Sequence, residues 1–204
     1  MALLRLLFFA VIVRPLVMVF LGLNVRHGQR IPKAGPALIV ANHNSHLDTL
    51  VLMTLFPLGL LKDLRPVAAA DYFQRTALLR WFSKHIIKVI FLDRQGSHRQ
   101  AFEVIGEAFA AGQLVILYPE GSRGEPETLA DFKSGVGLIA QQHPDVPVIP
   151  IFLHGLGKAL PKNDWLPVPF FIDFFVGEAL YFRDMAGESS KAKRQACMDN
   201  LNTT

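Results

Sequence analysis

This sequence has almost no cysteine, few charged residues and no acidic residue near its amino end. Cys197 is the only cysteine among 204 residues, which excludes an intrachain disulfide framework and a cysteine-rich zinc site and favours a reducing compartment. Charged residues form 19% of the chain, below the usual quarter, while 51% of residues are hydrophobic. This balance excludes a disordered chain and is typical of one compact domain with a sizeable core.

The positive charge is concentrated at the amino end. Residues 1–47 contain no Asp or Glu, whereas residues 48–204 have a net charge of −1, from 16 basic and 17 acidic residues. No basic stripe occurs later in the chain, which argues against nucleic-acid binding. Basic residues beside an apolar segment instead indicate contact with an anionic membrane surface. The basic residues of this first part are Arg5, Arg14, Arg26, Arg30 and Lys33.

Residues 1–25 are almost entirely apolar and, as one helix, would be about 37 Å long, enough to cross a bilayer. Arg14 and Pro15 interrupt this segment, because arginine at the bilayer centre costs roughly 2.5–3.5 kcal/mol and proline removes a helical hydrogen bond. Two apolar pieces remain, Leu3–Val13 and Leu16–Leu23. We predict that they form a bent, monotopic membrane anchor; a bilayer span and a helix packed on the domain are the alternatives.

From residue 37 onwards, short apolar runs alternate with stretches at helical spacing. The predicted strands are Ala37–Ala41, Pro66–Ala69, Ile86–Leu92, Gln113–Tyr118, Val148–Leu153 and Phe170–Val176. The predicted helices are His46–Phe56, Tyr72–His85, Ser97–Ala111, Gly135–His143 and Ser189–Leu201. Fully apolar strands with helices between them favour an α/β fold with a largely parallel central sheet flanked by helices. We therefore expect a membrane-associating helical segment at 1–33 and an α/β domain at 34–204.

The segment Asn42-His43-Asn44-Ser45-His46-Leu47-Asp48 follows the first predicted strand, at the edge where open α/β sheets bind ligands. With His43 in a loop and Asp48 in the first helical turn, the carboxylate can orient the imidazole for general-base catalysis. Ser45-x-x-Asp48 is also typical of a capping box, in which Asp48 only accepts a backbone hydrogen bond. Spacing alone leaves both interpretations open. Since His43 and His46 lack a third ligand at a recognisable spacing, we expect no metal site.

A second polar segment, Pro119-Glu120-Gly121-Ser122-Arg123, follows the most apolar predicted strand. The planar guanidinium of Arg123 suits a phosphate, glycine allows close approach of a ligand, and Glu120 can accept a hydrogen bond from a substrate hydroxyl. The alternative is an ordinary surface turn with an exposed Glu–Arg pair.

Two further basic residues lie where anions can bind. Arg94 follows the strand that ends at Leu92, and its alternative role is a solvated ion pair with Asp93. Lys133 precedes a predicted helix, where free backbone N–H groups also attract anions.

Together and in this order, these segments resemble the glycerolipid acyltransferase family typified by the 1-acylglycerol-3-phosphate acyltransferases. The resemblance covers residues from about 37 to 155 in four blocks: Asn42-His43-x4-Asp48, Phe91–Arg94, Pro119–Arg123 and Val146–Pro150. It implies transfer of a fatty acyl group from acyl-CoA or acyl-carrier protein to the free hydroxyl of 1-acylglycerol 3-phosphate. No other cofactor is implied. The expected place is the cytoplasmic face of a cell membrane.

The resemblance also implies roles for single residues. His43 is the general base and Asp48 its orienting partner, while substrate binding falls to the other polar residues of the blocks and Lys133. Tyr118 and Ser122 stand where phenylalanine and threonine are common, so the acceptor pocket can differ. Another lysolipid or glycerol 3-phosphate as acceptor, thioester hydrolysis and non-catalytic lipid binding are the alternatives. The predicted substrate-binding residues are Arg94, Glu120, Gly121, Ser122, Arg123 and Lys133.

Overall fold

The structure of the protein is a computed structural model that describes residues 1–45, 47–70, 76–93, 98–121, 133–159, 168–185 and 189–203. Within these residues, seven strands form one sheet in the order β1-β7-β6-β2-β5-β3-β4. The strands are β1 Leu21–Arg26, β2 Ala37–Ala41, β3 Leu64–Ala69, β4 Ile90–Leu92, β5 Leu114–Leu117, β6 Val148–His154 and β7 Phe170–Val176.

The sheet is largely parallel, with one reversed pair at an edge. Strands β2 to β6 run in the same direction, β7 is antiparallel to β6, and β1 is parallel to β7. The predicted α/β fold is confirmed. The reversed pair at the β1 edge is a feature that the alternation of apolar runs did not indicate.

Helices cover both faces of the sheet, which explains why the central strand β2 is buried at every position. The side chains of Ala37, Ile39 and Ala41 face one apolar cluster, and those of Leu38 and Val40 face the other. The helices after the amino-terminal segment are α3 Asp48–Thr54, α4 Ala77–Phe82, α5 His98–Ala110, α6 Gly135–Gln142, α7 Leu156–Ala159 and α8 Ser190–Thr203. Short 3₁₀ turns lie at Gly28–Arg30, Leu58–Asp63 and Phe182–Asp184.

Most helix bounds lie within two residues of the predicted ones, and the exception has a local cause. A π-helical turn at Ser83–Ile87 continues α4, so only Ile90–Leu92 of the predicted strand Ile86–Leu92 is extended. The helix ends at Lys88, whose φ of 60° is left-handed. The first residues of the predicted helix Tyr72–His85 lie outside the described residues.

The amino-terminal helix consists of α1 Ala2–Leu7, a π-helical turn Phe8–Val13 and α2 Arg14–Phe20. We call these three pieces together the N-terminal helix. The π-helical turn precedes Pro15, whose missing N–H would interrupt a regular α-helix. The predicted apolar helix piece Leu16–Leu23 ends at Phe20, because the chain from Leu21 pairs with β7 as the edge strand β1. Segment 1–33 thus contains a strand of the sheet, and the predicted boundary after residue 33 stays a prediction.

One face of the N-terminal helix is packed on the domain. Phe9, Val13 and Val17, spaced four residues apart, are buried in the main apolar cluster. The buried guanidinium of Arg5 donates hydrogen bonds to the carbonyls of Leu64 and Ile87, at 3.4 and 3.2 Å. Burial lowers the pKa of Arg5 to about 10, so the group stays protonated at neutral pH. This charge therefore serves the fold and is not available to lipid phosphates, contrary to the prediction.

Arg14 has a similar structural role at the middle of the same helix. Its guanidinium donates to the carbonyl oxygens of Phe56, at 2.6 Å, and Thr54, at 3.3 Å. These carbonyls lie at the carboxyl end of α3, where a positive charge is favourable. The charge that argues against a straight bilayer span thus caps a helix of the domain.

The opposite face of the N-terminal helix is apolar and exposed. By length and composition, the stretch Ala2–Val19 could cross a membrane, with a mean hydropathy of 2.3. The packing of the other face on the domain leaves a stripe of exposed large apolar side chains on the outside. The exposed residues of this stripe are Leu3, Leu4, Leu6, Leu7, Val11, Ile12, Leu16, Met18 and Val19.

Candidate active site

Two central strands bring the two polar segments to the same edge of the sheet. Strands β2 and β5 are parallel neighbours, with Val40 opposite Leu117. The described residues that follow them, 42–45, 47–48 and 118–121, therefore meet beyond the carboxyl ends of the strands. This is the location predicted from the strand order expected in an open α/β sheet.

His43 and Asp48 form a hydrogen-bonded pair. Nδ1 of His43 lies 2.8 Å from Oδ2 of Asp48. The Asp48 side chain is buried, with 1% of its surface exposed, whereas 23% of the His43 side chain is exposed. A buried carboxylate on Nδ1 favours the tautomer with the proton on that nitrogen, and Nε2 is then free to accept a proton. The pair has the geometry of a general base with an orienting carboxylate.

The same carboxylate oxygen also shapes the loop. Oδ2 of Asp48 accepts the backbone N–H groups of Asn44, at 2.7 Å, and Ser45, at 2.8 Å. The capping interaction and the contact with His43, which the spacing left as alternatives, therefore occur together on one oxygen. Three hydrogen bonds to one buried atom hold the imidazole and the loop as a unit.

Asn42 fixes the start of this loop to the next strand. Its amide nitrogen donates to the carbonyl of Leu153, at 2.9 Å, and its amide oxygen accepts the N–H of Leu153, at 2.7 Å. A side-chain amide thereby extends the hydrogen bonding between β2 and β6 beyond the end of β2. The contact sets the position from which the His43 loop leaves the sheet, and the sequence analysis did not identify it.

Tyr118 lies directly against the imidazole. The two rings are stacked, with centroids 4.3 Å apart and planes 21° apart. The hydroxyl of Tyr118 lies 3.0 Å from Oγ1 of Thr49, the residue after Asp48. Burial and the nearby Asp48 carboxylate raise the pKa of the Tyr118 hydroxyl, against a smaller lowering by the Thr49 bond. The phenol therefore remains protonated at neutral pH and acts as a hydrogen-bonding group.

Glu120 supports the loop from the same side. Its side chain is buried, and Oε1 accepts the backbone N–H of His43 at 3.0 Å. The predicted role of Glu120 in substrate binding stays a prediction, while its contact with His43 is a positioning contact that the motif did not indicate. The carboxylate joins the two polar segments, so the loop after β5 holds the histidine through both Tyr118 and Glu120.

Gly121 and Lys133 lie together beside this site. Gly121 has a φ of +73°, and its N–H donates to the carbonyl of Tyr118 at 3.1 Å. A Cβ atom at position 121 would lie 2.5 Å from Nζ of Lys133, so the ammonium group passes directly over the glycine. The side chain of Lys133 is exposed, and its backbone N–H donates to the carbonyl of Pro119 at 3.0 Å. The structure thus places a solvent-accessible cation next to the segment that contacts His43.

Three predicted substrate-binding residues, Arg94, Ser122 and Arg123, lie outside the described residues, as does His46. Their neighbours indicate only where the chain leaves the described part. Asp93 follows β4, and Gly121 follows the turn after β5. These two strands run in the same direction in the sheet.

The chain is similar to known acyltransferases in sequence and in fold. A family model described as acyltransferase matches residues 22–154. A probable 1-acyl-sn-glycerol-3-phosphate acyltransferase of Mycoplasma genitalium is 31% identical over 131 residues, which cover 63% of this chain and 47% of the relative. A chloroplastic 1-acyl-sn-glycerol-3-phosphate acyltransferase of Arabidopsis thaliana is 30% identical over 147 residues, covering 71% of this chain and 39% of the relative. The chain thus spans less than half the length of these curated relatives.

Among solved structures, the 1-acyl-sn-glycerophosphate (LPA) acyltransferase of Thermotoga maritima has the same fold. It matches with a TM-score of 0.72 and 20% identity over 99% of this chain and 77% of that chain. The family model covers both strands that bring His43, Asp48 and Glu120 together, and more than half of the whole sequence. The chain therefore belongs to the acyltransferase family.

Proposed function

We propose that this protein transfers a fatty acyl group from a thioester donor to the free hydroxyl of 1-acylglycerol 3-phosphate, giving phosphatidate. The observation that carries the proposal is the 2.8 Å hydrogen bond between His43 Nδ1 and the buried Asp48 carboxylate. The similarity to relatives named for the acylation of 1-acylglycerol 3-phosphate supports the acceptor. The donor that the family resemblance implies is acyl-CoA or acyl-carrier protein.

The proposed chemistry needs one base and no covalent acyl-enzyme. Nε2 of His43 takes the proton of the acceptor hydroxyl while its oxygen attacks the thioester carbonyl carbon. The C–S bond of the tetrahedral intermediate then breaks, and the imidazolium returns the proton to the departing thiolate. The carboxylate of Asp48, at 2.8 Å from Nδ1, stabilises the imidazolium between these two steps.

We propose that the phosphate of the acceptor binds on the Lys133 side of the site. The exposed ammonium group of Lys133 lies over Gly121, next to the segment that holds His43. A cation there can pair with the phosphate while the hydroxyl of the same molecule reaches His43. Arg94, Ser122 and Arg123, which the family resemblance implies as further phosphate ligands, stay predictions. Glu120 accepts a hydrogen bond from the His43 backbone, and its contact with the substrate stays a prediction.

We further propose that the outer face of the N-terminal helix lies in one leaflet of a membrane. Its exposed stripe includes Val11 at 64% and Met18 at 78% exposure, while the inner face is packed on the domain. A helix with one face buried in protein and one apolar face outward is suited to lie at an interface and not to cross the bilayer. This attachment would bring the site to its lipid acceptor at the cytoplasmic face of the membrane.

A donor-by-acceptor activity matrix tests the proposal. The purified protein, in detergent, is incubated with acyl-CoA or acyl-carrier-protein thioesters and with lysophosphatidate, another lysolipid or glycerol 3-phosphate. The expected result is phosphatidate formed in equal amount to released thiol. Free fatty acid without acylated lipid would show thioester hydrolysis, and lipid binding without thiol release would show a non-catalytic protein. A product from another acceptor only would overturn the proposed substrate.

A further inference from the structure

Tyr118 contacts His43 of the His43–Asp48 pair and Thr49, the residue that follows Asp48. Its ring is stacked on the imidazole, with centroids 4.3 Å apart. Its hydroxyl lies 3.0 Å from the Thr49 hydroxyl, on the first turn of the helix that begins at Asp48. One side chain at the end of β5 therefore connects the loop that carries the base with the helix that carries the carboxylate.

The stack restricts a motion that the hydrogen bond to Asp48 leaves open. A single hydrogen bond at Nδ1 fixes one atom of the imidazole, but the ring can still tilt about that atom. A second ring at 4.3 Å and 21° blocks the tilt on one side and keeps the direction of Nε2 constant. A base works only from within hydrogen-bond reach of the proton that it takes, so the rate depends on the direction in which Nε2 points.

The hydroxyl of Tyr118 has a different task from the ring. Its hydrogen bond to Thr49 fixes the tilt of the tyrosine ring itself, and the ring then sets the orientation of the imidazole.

Proton donation by Tyr118 is a poor alternative to this role. The hydroxyl already has a partner in Thr49, and it lies in a half-buried place near the Asp48 carboxylate. Both burial and the Asp48 charge raise its pKa, which makes the phenol a weaker acid than usual. The contacts are those of a side chain that holds another group in place.

We propose that Tyr118 is a positioning residue that fixes the imidazole plane of His43 through its ring and is itself fixed by Thr49 through its hydroxyl. The proposal rests on the proposed function, in which His43 is the base. It assigns two separable effects to the two parts of one side chain. Loss of the ring acts on His43, and loss of the hydroxyl acts through the tilt of the ring.

The test compares Tyr118→Leu, which removes the ring, with Tyr118→Phe, which keeps it. We expect Tyr118→Leu to lower kcat roughly 10- to 100-fold with little change in the KM for the acceptor, because the base loses alignment and not a substrate contact. Tyr118→Phe lowers kcat only a few-fold.

Thr49 tests the hydroxyl part. Thr49→Val removes the same hydrogen bond from the other side, so its effect on kcat should equal that of Tyr118→Phe. In the double variant the two effects should not add, which is the signature of a shared interaction. Full additivity would overturn the role of the hydroxyl.

A matched control separates positioning from general loss of stability. Phe109 packs edge-to-face on His143, 5.1 Å between centroids, in the apolar cluster on the other side of the sheet. Phe109→Leu thus removes another aromatic–histidine contact, and it should lower the unfolding midpoint while leaving kcat unchanged. If Tyr118→Leu does not fold, the Tyr118→Phe and Thr49→Val cycle still decides on the hydroxyl.

The outcomes distinguish this inference from the proposed function. If His43→Ala is inactive and folded Tyr118→Leu has the kcat of the original protein, the positioning role is overturned and the general base stands. If His43→Ala keeps full turnover, the proposed function of His43 fails first. A parallel loss of kcat and unfolding midpoint in both Tyr118→Leu and Phe109→Leu would reduce Tyr118 to a structural residue.

Discussion

The Asp48 carboxylate has a structural and a proposed catalytic task on one oxygen, and two substitutions separate them. Asp48→Ala removes the acceptor of the Asn44 and Ser45 N–H groups. Each buried donor left without a partner costs about 1–3 kcal/mol, so the free energy of unfolding should fall by roughly 2–6 kcal/mol. Asp48→Asn keeps an oxygen for these donors, and the expected loss of stability is only about 1 kcal/mol.

Asp48→Asn should have a small effect on stability but a large effect on the rate. Nδ1 of His43 and Oδ2 of Asp48 lie 2.8 Å apart. The charge centres of an imidazolium and Asp48 are then about 4 Å apart, where the attraction is about 4 kcal/mol at an effective dielectric constant near 20. Loss of that attraction in Asp48→Asn should lower kcat roughly 10³-fold, although the protein stays folded. Asp48→Asn thus isolates the charge from the cap.

The assay follows thiol release and acylated lipid in detergent, with urea unfolding of the same preparations. Asp145→Asn is the matched control, because Asp145 pairs with Arg183 at the surface and such a pair contributes about 0–1 kcal/mol. The control should keep both rate and stability. If Asp48→Asn is folded and works within tenfold of the original rate, the carboxylate does not stabilise an imidazolium and the reasoning is refuted.

Three further predictions concern the acceptor, the membrane and the fold. Lys133→Ala should raise the KM for lysophosphatidate roughly tenfold and leave the donor KM unchanged, because a charged hydrogen bond to phosphate is lost; Lys193→Ala is the control, and equal effects on both substrates would contradict the assignment. Val11→Glu with Ile12→Glu should weaken co-sedimentation with anionic lipid vesicles at least tenfold without unfolding the protein, since both side chains lie on the exposed stripe; the same charges at Gln100 and Gln195 should have no effect, and unchanged binding by the first pair would exclude this face. Burial lowers the pKa of His143 from 6.5, so protonation favours the unfolded chain and stability should fall as the pH drops below about 6.5; His143→Gln should flatten this dependence in urea titrations, and an unchanged slope would assign it to other groups.

Two strands could be predicted because their sequences are almost entirely apolar. Ala37–Ala41 is an uninterrupted apolar run, Phe170–Val176 is interrupted only by Asp173, and both are strands with the predicted bounds. The edge strand Leu21–Arg26 could not be predicted in the same way. It continues the apolar composition of the N-terminal helix, and its extended conformation depends on pairing with β7, a partner about 150 residues later.

The candidate site was predictable in its residue types but not in its contacts. The spacing of His43 and Asp48 allowed either a base or a helix cap, and only the coordinates show Oδ2 in both contacts. The stacking of Tyr118 on His43 depends on the register of β5 against β2, which no local pattern encodes. The same holds for Arg14, whose partners Thr54 and Phe56 are set by how the N-terminal helix docks.

The most direct test of the central claim is the turnover of His43→Ala. Purified original and variant proteins are compared with acyl-CoA or acyl-carrier-protein thioester and lysophosphatidate, and phosphatidate is measured together with released thiol. A general base contributes about 10²–10⁴-fold, so the variant should lose at least 99% of its turnover while keeping its unfolding midpoint. Full turnover by folded His43→Ala would contradict the account.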